Sequence, residues 1–329
     1  MKLNKTLAST VVATFTFATA VPAFATELRM LSSWSGNQAY NANIAIPFME
    51  KVSEISDGEI TIDMAGPDVI PAFEQLEPVQ AGLFDILFTA PAYHIGSASV
   101  AVGIEGTVPD PELRRKSGII ETMDEFYNGL GLKALFVAPA GSKAFNFMLK
   151  NPVENAPSLA GRKIRGTQLY NPAIEGLEGS PVVMPMTEVY SALQTGVVDG
   201  AGTTLVGMVE QKWYEVADYI SRPTFGTVGL FAYMNLDTWE SLTEEEQQVI
   251  MEAAIAVEQE SIEKFDTLAL EEEAELLEYG VEVTQMPKED AERLDKLIAD
   301  GAWETARSLG HDEVVDKMYQ QAEEAGLLQ

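Results

Sequence analysis

The chain has no cysteine. That excludes thiol nucleophiles, thiol–disulfide exchange and thiolate-bound zinc, and any fold it adopts must stand without disulfides. Histidine is nearly absent as well, with only two in 329 residues; His94 is read as a solvated loop residue. There is no G-x-S-x-G elbow, H-E-x-x-H pair, phosphate-binding P-loop or dinucleotide fingerprint. Nor is there a D-x-D-x-D-G calcium loop. The chain is therefore read as a non-enzyme, with no cofactor and no metal ion expected. Positive charge is scarce: 21 Lys and Arg face 51 Asp and Glu, for a net charge of −30. Such a surface repels nucleic acid and anionic lipid, so neither is expected as a partner. It favours solubility, most comfortably in a salty setting where screening softens self-repulsion.

Long apolar runs are missing except at the start. Lys2 and Lys5 precede an apolar stretch over 7–21, and Ala23-Phe24-Ala25 is a small-x-small cleavage site. This pattern predicts a Sec-type signal peptide over 1–25, cleaved after Ala25, and a periplasmic address. No cysteine follows for lipid attachment, and no later run is long and apolar enough to span a bilayer. Cleavage would leave 304 residues with 19 basic and 51 acidic side chains, enough chain for two domains of ordinary size.

The remaining chain alternates short strand-like and helix-like segments. Residues 27–33 read as a strand, 39–55 as an amphipathic helix, 59–64 as a half-buried strand and 85–89 as a buried one. Around 159–200, Gly161 opens a strand ending at Arg165, residues 171–179 have helical composition, and 181–184 form another strand. Thr187 can N-cap a helix that Gly196 ends, before a strand starting at Val197. Units this short predict an α/β fold with a largely parallel sheet, in which ligands bind beyond the carboxyl ends of the strands. Arg165 and Thr203 fall at such ends. Arg114-Arg115-Lys116 is the only compact basic cluster, read as the solvated start of a helix over 111–130. A single helical pattern over 243–279, with Thr243 as N-cap and an acidic first turn, would be roughly 55 Å long at about 1.5 Å per residue. That is long enough to brace two lobes.

The ordered set Leu159-x-Gly161-x-Lys163-Ile164-Arg165, Pro185, Glu188, Tyr190-x-Ala192-Leu193-Gln194, Val198-Asp199-Gly200 and Lys212-Trp213-Tyr214-Glu215-Val216 resembles the solute-binding proteins of tripartite ATP-independent periplasmic (TRAP) transporters, the DctP family. The resemblance covers most of the chain from Trp34 onward. It implies a two-lobed α/β periplasmic binding protein fold with a long helix bracing both lobes. Residues 26–142 and 229–268 would make lobe I, and 143–228 and 269–329 lobe II, with two C-terminal helices closing the latter.

It also implies a function: periplasmic capture of a small organic acid, delivered by a monomer to TRAP membrane subunits. The arginine matching Arg165 grips the ligand carboxylate in the family, a role suited to a planar guanidinium. The bland alternative is pairing with a surface acid. Trp34, Phe73, Tyr93, Phe145 and Phe225 match ligand-contacting positions, though large aromatics also build cores. Two departures bear on the ligand. Some members, the sialic acid binders among them, carry a second arginine near Phe145, where this chain offers only Lys143 two residues earlier. Many have asparagine at Thr203, which still supplies a hydroxyl. One arginine among aromatics favours a monocarboxylate; a dicarboxylate helped by Lys143 is the runner-up. A ligand-sensing subunit and an acid-dependent exported hydrolase are the rival classes.

Overall fold

The computed structural model describes residues 25–36 and 38–329; the expected signal peptide falls on residues outside that range, Ala25 excepted. Eleven strands are seen among the described residues: β1 (Thr26–Ser32), β2 (Ile60–Ala65), β3 (Ile86–Thr89), β4 (Leu132–Pro139), β5 (Phe145–Leu149), β6 (Lys163–Gly166), β7 (Ser180–Val183), β8 (Gly200–Thr204), β9 (Tyr219–Arg222), β10 (Gly229–Asn235) and β11 (Glu282–Gln285). They form two sheets. The first has the order β2-β1-β3-β10-β4 and the second β11-β9-β5-β8-β6-β7. Within the first, β1 runs parallel to β2 and β3, while β10 is antiparallel to both neighbours. In the second, β6 is parallel to β7 and β8, and β5 runs against β8 and β9. The alternating strand–helix pattern accounts for the parallel parts. The antiparallel strands are those that enter or leave a sheet through the crossings between lobes.

Two crossings, residues 140–144 and 223–228, run side by side. Ala140 N–H donates to Val228 O (2.9 Å) and Ala144 N–H to Gly226 O (3.0 Å). The helix Glu244–Glu278 spans both sheets. Thr243 and Glu246 close a capping box at its start, satisfying amide donors that a free helix end leaves open. Its 35 residues extend about 52 Å at about 1.5 Å per residue. Ile250, Ala254, Val257 and Phe265 join the core cluster that includes the first-sheet residues Leu28, Met30 and Phe136, while Leu276 joins another with Met148, Ala201 and Ile220 of the second. Glu272 accepts from the amides of Gly207 and Val209 (3.1 and 2.7 Å).

Several local expectations are corrected by tertiary packing. Gly118, at φ +81°, divides the 111–130 pattern into Pro111–Lys116 and Ile119–Asn128. Arg114 and Arg115 do not form a solvated face. Arg114 is buried and donates to Thr107 Oγ1 and to the carbonyls of Ile104 and Thr107, and Arg115 Nε lies 2.6 Å from buried Glu258. Thr187 caps nothing, because a 3-10 turn precedes the helix Val189–Thr195. Nor do both C-terminal helices close the second lobe. Val315, Met318 and Ala322 of Asp312–Glu324 pack into a cluster with Ile119, Met123 and Phe231 of the first. Leu294–Arg307 touches both lobes, with Trp303 and Ala306 in that cluster and Leu294 and Ile298 in the central one.

Candidate functional site

Where the sheets face each other they enclose a cavity of about 480 Å³, counting its mouth. Trp34, Tyr40, Tyr93 and Glu105 line it from the first lobe; Phe145, Arg165, Thr167, Tyr170, Thr203 and Thr204 from the second. The hydroxyls of Tyr40 and Thr204 share a hydrogen bond across the cleft.

Arg165 is the centre of this arrangement. Strand β6 lies between β7 and β8, with Arg165 opposite Val182 and Ala201. Its Nε donates to Met184 O and one terminal nitrogen to Gly202 O, both at 3.0 Å. Two of the five N–H donors are thus spent on backbone carbonyls that hold the guanidinium plane, and three are free of those bonds. Gly202 matters twice: a Cβ there would lie 2.6 Å from the Tyr170 ring, so only glycine lets this wall close over the carbonyl that Arg165 uses. Arg165 is 2% exposed, and no acid pairs with it among the described residues. A buried guanidinium without a counter-charge is unfavourable unless an anion joins it. Burial raises the pKa of Tyr93 and Tyr170, and the nearby Arg165 charge partly opposes both shifts.

Of the other expected residues, Trp34, Tyr93, Phe145 and Thr203 line the same cavity. Trp34 Nε1 is buried without a hydrogen-bond partner. Phe73, 38% exposed, stands outside, edge-on to Tyr93 at 4.8 Å, in a second pocket that shares Trp34, Tyr93 and Met186 with the cavity. Phe225 lies behind the wall, its ring 6.1 Å from Phe145 and 5.1 Å from Phe147. Lys143 is turned away, its Nζ 2.7 Å from Asp295 in a half-exposed ion pair. The cavity lining therefore holds one basic side chain, Arg165.

His94 is buried rather than solvated. Its Nε2 lies 2.9 Å from Thr89 Oγ1, which meets Ser33 Oγ at 2.7 Å, and Ser33 donates to Gln75 Oε1 at 2.7 Å. Burial pushes its pKa down to about 4, so it is a neutral member of the polar network beneath the Trp34 loop. Sequence reasoning missed Tyr40 and Glu105. Tyr40 was hidden in a helical pattern. Glu105 had a readable signal, as the one acid in the otherwise apolar run Val100–Gly106.

The sequence profile of the bacterial extracellular solute-binding proteins of family 7 matches residues 112–305. The chain belongs to that family, DctP. A solute-binding protein of Chromohalobacter salexigens is 28% identical over 188 residues, 56% of this chain and 55% of its own. The matched segments span about half the length of the first curated relatives. The fold is also that of a TRAP periplasmic solute-binding protein from Desulfovibrio salexigens with bound orotic acid (22% identity, TM-score 0.79, covering 91% of this chain and 98% of that one). An apo open structure from Rhodobacter sphaeroides superposes less closely (26% identity, TM-score 0.65, 91% and 98%). Within this DctP protein, much of the family pattern is architectural. Asp199 accepts from Lys163 N–H at 2.8 Å, joining β6 to the start of β8, and Tyr190 donates to Glu215 at 2.7 Å. Trp213 is core. No described helix is long and apolar enough to cross a membrane.

Proposed function

We propose that this DctP protein is the exported solute-binding subunit of a TRAP transporter, capturing a small organic acid in the periplasm and handing it to the membrane subunits. The observation that carries this reading is Arg165: a buried guanidinium, braced by two carbonyls, with no acid paired to it among the described residues, in the wall of the cavity between the lobes. A ligand carboxylate supplies the missing charge through a two-pronged contact. Thr203 adds a hydroxyl, the unpartnered Trp34 Nε1 adds a donor, and Tyr93 and Phe145 shape the remaining wall. The Desulfovibrio relative with bound orotic acid is consistent with a carboxylate ligand.

One carboxylate is favoured over two. A second would be desolvated without a cation, since Lys143 is engaged with Asp295 outside the cavity. The test is a thermal-shift screen of matched mono- and dicarboxylates, followed by calorimetry on the hits. Monocarboxylates should stabilise the protein more than their diacid analogues. Stabilisation by no organic acid would overturn the function, and consistently tighter binding of diacids would overturn the preference.

A further inference from the structure

Glu105 has no part in a simple carboxylate clamp, yet it stands in the wall of the same cavity. It comes from the 3-10 segment Val100–Gly106, which the helix Leu294–Arg307 presses inward: Cβ atoms at Gly103 and Gly106 would meet the Trp303 ring at 2.8 and 2.4 Å. Both carboxyl oxygens accept from the single amide of Gly229 (3.0 and 3.1 Å), and Glu105 makes no ion pair among the described residues. The side chain is 1% exposed. Burial raises its pKa to about 8, opposed by the Gly229 bond and the Arg114 charge, so near neutral pH the ligand-free cavity favours its protonated form.

The wall thus holds two ionisable groups of opposite formal charge, Arg165 and Glu105, among tyrosines that burial keeps neutral. A plain monocarboxylate satisfies the first and leaves Glu105 without a cation in a low-dielectric space, where a positively charged partner favours its ionised form. The outer pocket points the same way. Asp68, Glu74 and Glu188 line it with no lysine or arginine, so a ligand without net negative charge is repelled less on entry. Trp34, Tyr40 and Tyr93 line the cavity as well, and aromatic rings attract a cation placed over them.

Resting on the carboxylate clamp proposed above, we infer that the ligand is a zwitterion, its carboxylate held by Arg165 and a positively charged nitrogen by Glu105. Glu105 is then the residue that selects amino-type acids over plain ones.

The test compares pairs of nearly equal shape that differ in the charged nitrogen: proline with cyclopentanecarboxylate, and glycine betaine with tert-butylacetate. Thermal shift at millimolar ligand and calorimetry are run on the wild type, Glu105→Gln and Arg165→Ala. In the wild type the zwitterion of at least one pair should bind more tightly than its partner. Glu105→Gln should weaken that zwitterion by about 10- to 100-fold, the loss of its charged partner, which is a charge-assisted hydrogen bond for proline and a charge contact alone for glycine betaine, while leaving the plain acid unchanged or tighter. The wild-type comparison stands even if the variant folds poorly. Plain acids binding as tightly as zwitterions in both pairs, zwitterion affinity unmoved by Glu105→Gln, or no response to either zwitterion would each overturn the inference. If carboxylates still bind and Arg165→Ala abolishes that binding, the clamp survives such a failure. If no carboxylate binds and Arg165→Ala changes nothing, the clamp fails and the inference with it.

Discussion

Replacing Arg165 with alanine separates the proposed binding role from the folding role that its two carbonyl contacts give it. Toward the ligand, the proposed clamp sets its remaining N–H groups against a carboxylate in the cavity, and truncating one partner of a buried charge pair costs about 2–5 kcal/mol, or roughly 30- to 4000-fold in affinity. Toward the fold, it donates to Met184 O and Gly202 O at 3.0 Å each. Losing a donor from a buried carbonyl costs about 1–3 kcal/mol. Against that, the substitution removes a buried unpaired charge whose desolvation is worth several kcal/mol in the opposite direction. The folding terms therefore oppose each other, and the ligand-free variant should shift in urea midpoint by less than the affinity loss. Arg165→Lys keeps the charge but loses the planar fork and one carbonyl bond, so it should recover only part of the binding. Calorimetry with a hit from the screen, and urea titration without it, measure the two quantities on all three proteins. An Arg165→Ala protein that binds within about threefold of wild type, roughly 0.65 kcal/mol, would refute the clamp.

Three further outcomes follow from charges elsewhere in the fold. Arg115→Ala leaves Glu258, 2% exposed and also accepting from Val137 N–H, without its counter-ion; urea unfolding should show a loss of about 3–5 kcal/mol, and a loss below about 1 kcal/mol would mean that the pair is screened. Glu105 has its pKa raised by burial from 4.5 to about 8, so the folded protein holds a proton there that the unfolded chain releases; its contribution is complete below pH 4.5 and lost as pH climbs to about 8. The ligand-free melting temperature should therefore fall across that window more steeply in the wild type than in Glu105→Gln, and equal slopes would count against the raised pKa. Lys143→Ala breaks a half-exposed ion pair with Asp295, so stability should drop by less than about 1 kcal/mol and calorimetric affinity should hold within about twofold, about 0.4 kcal/mol. A tenfold loss would restore Lys143 to the site.

Local chemistry decided what could be read from residue order. Period-two alternation marked β2, Thr243 and Glu246 marked the start of the long helix, and Gly161 with Ile164 and Arg165 marked β6. In each case the cause lies within a few residues of the effect. Arg165 belonged to this legible class because it sits at a strand end within an ordered motif. Tertiary structure alone decided which side chains share the cavity. Phe145 and Phe225 are similar aromatics in adjoining strand-like runs, yet they face each other as neighbours at the Phe145–Phe225 bridge and only the first lines the wall. Lys143 is drawn outward by Asp295, a residue 152 positions later. Arg114 and His94, both solvated by local composition, are enclosed by elements that reach them from elsewhere in the chain. Glu105 shows the limit most plainly. Its apolar neighbours carry a local signal of burial, but its sharing a cavity with Arg165 requires the two sheets to meet and Trp303 to pack against Gly106, contacts between residues too far apart in sequence for any local pattern to encode.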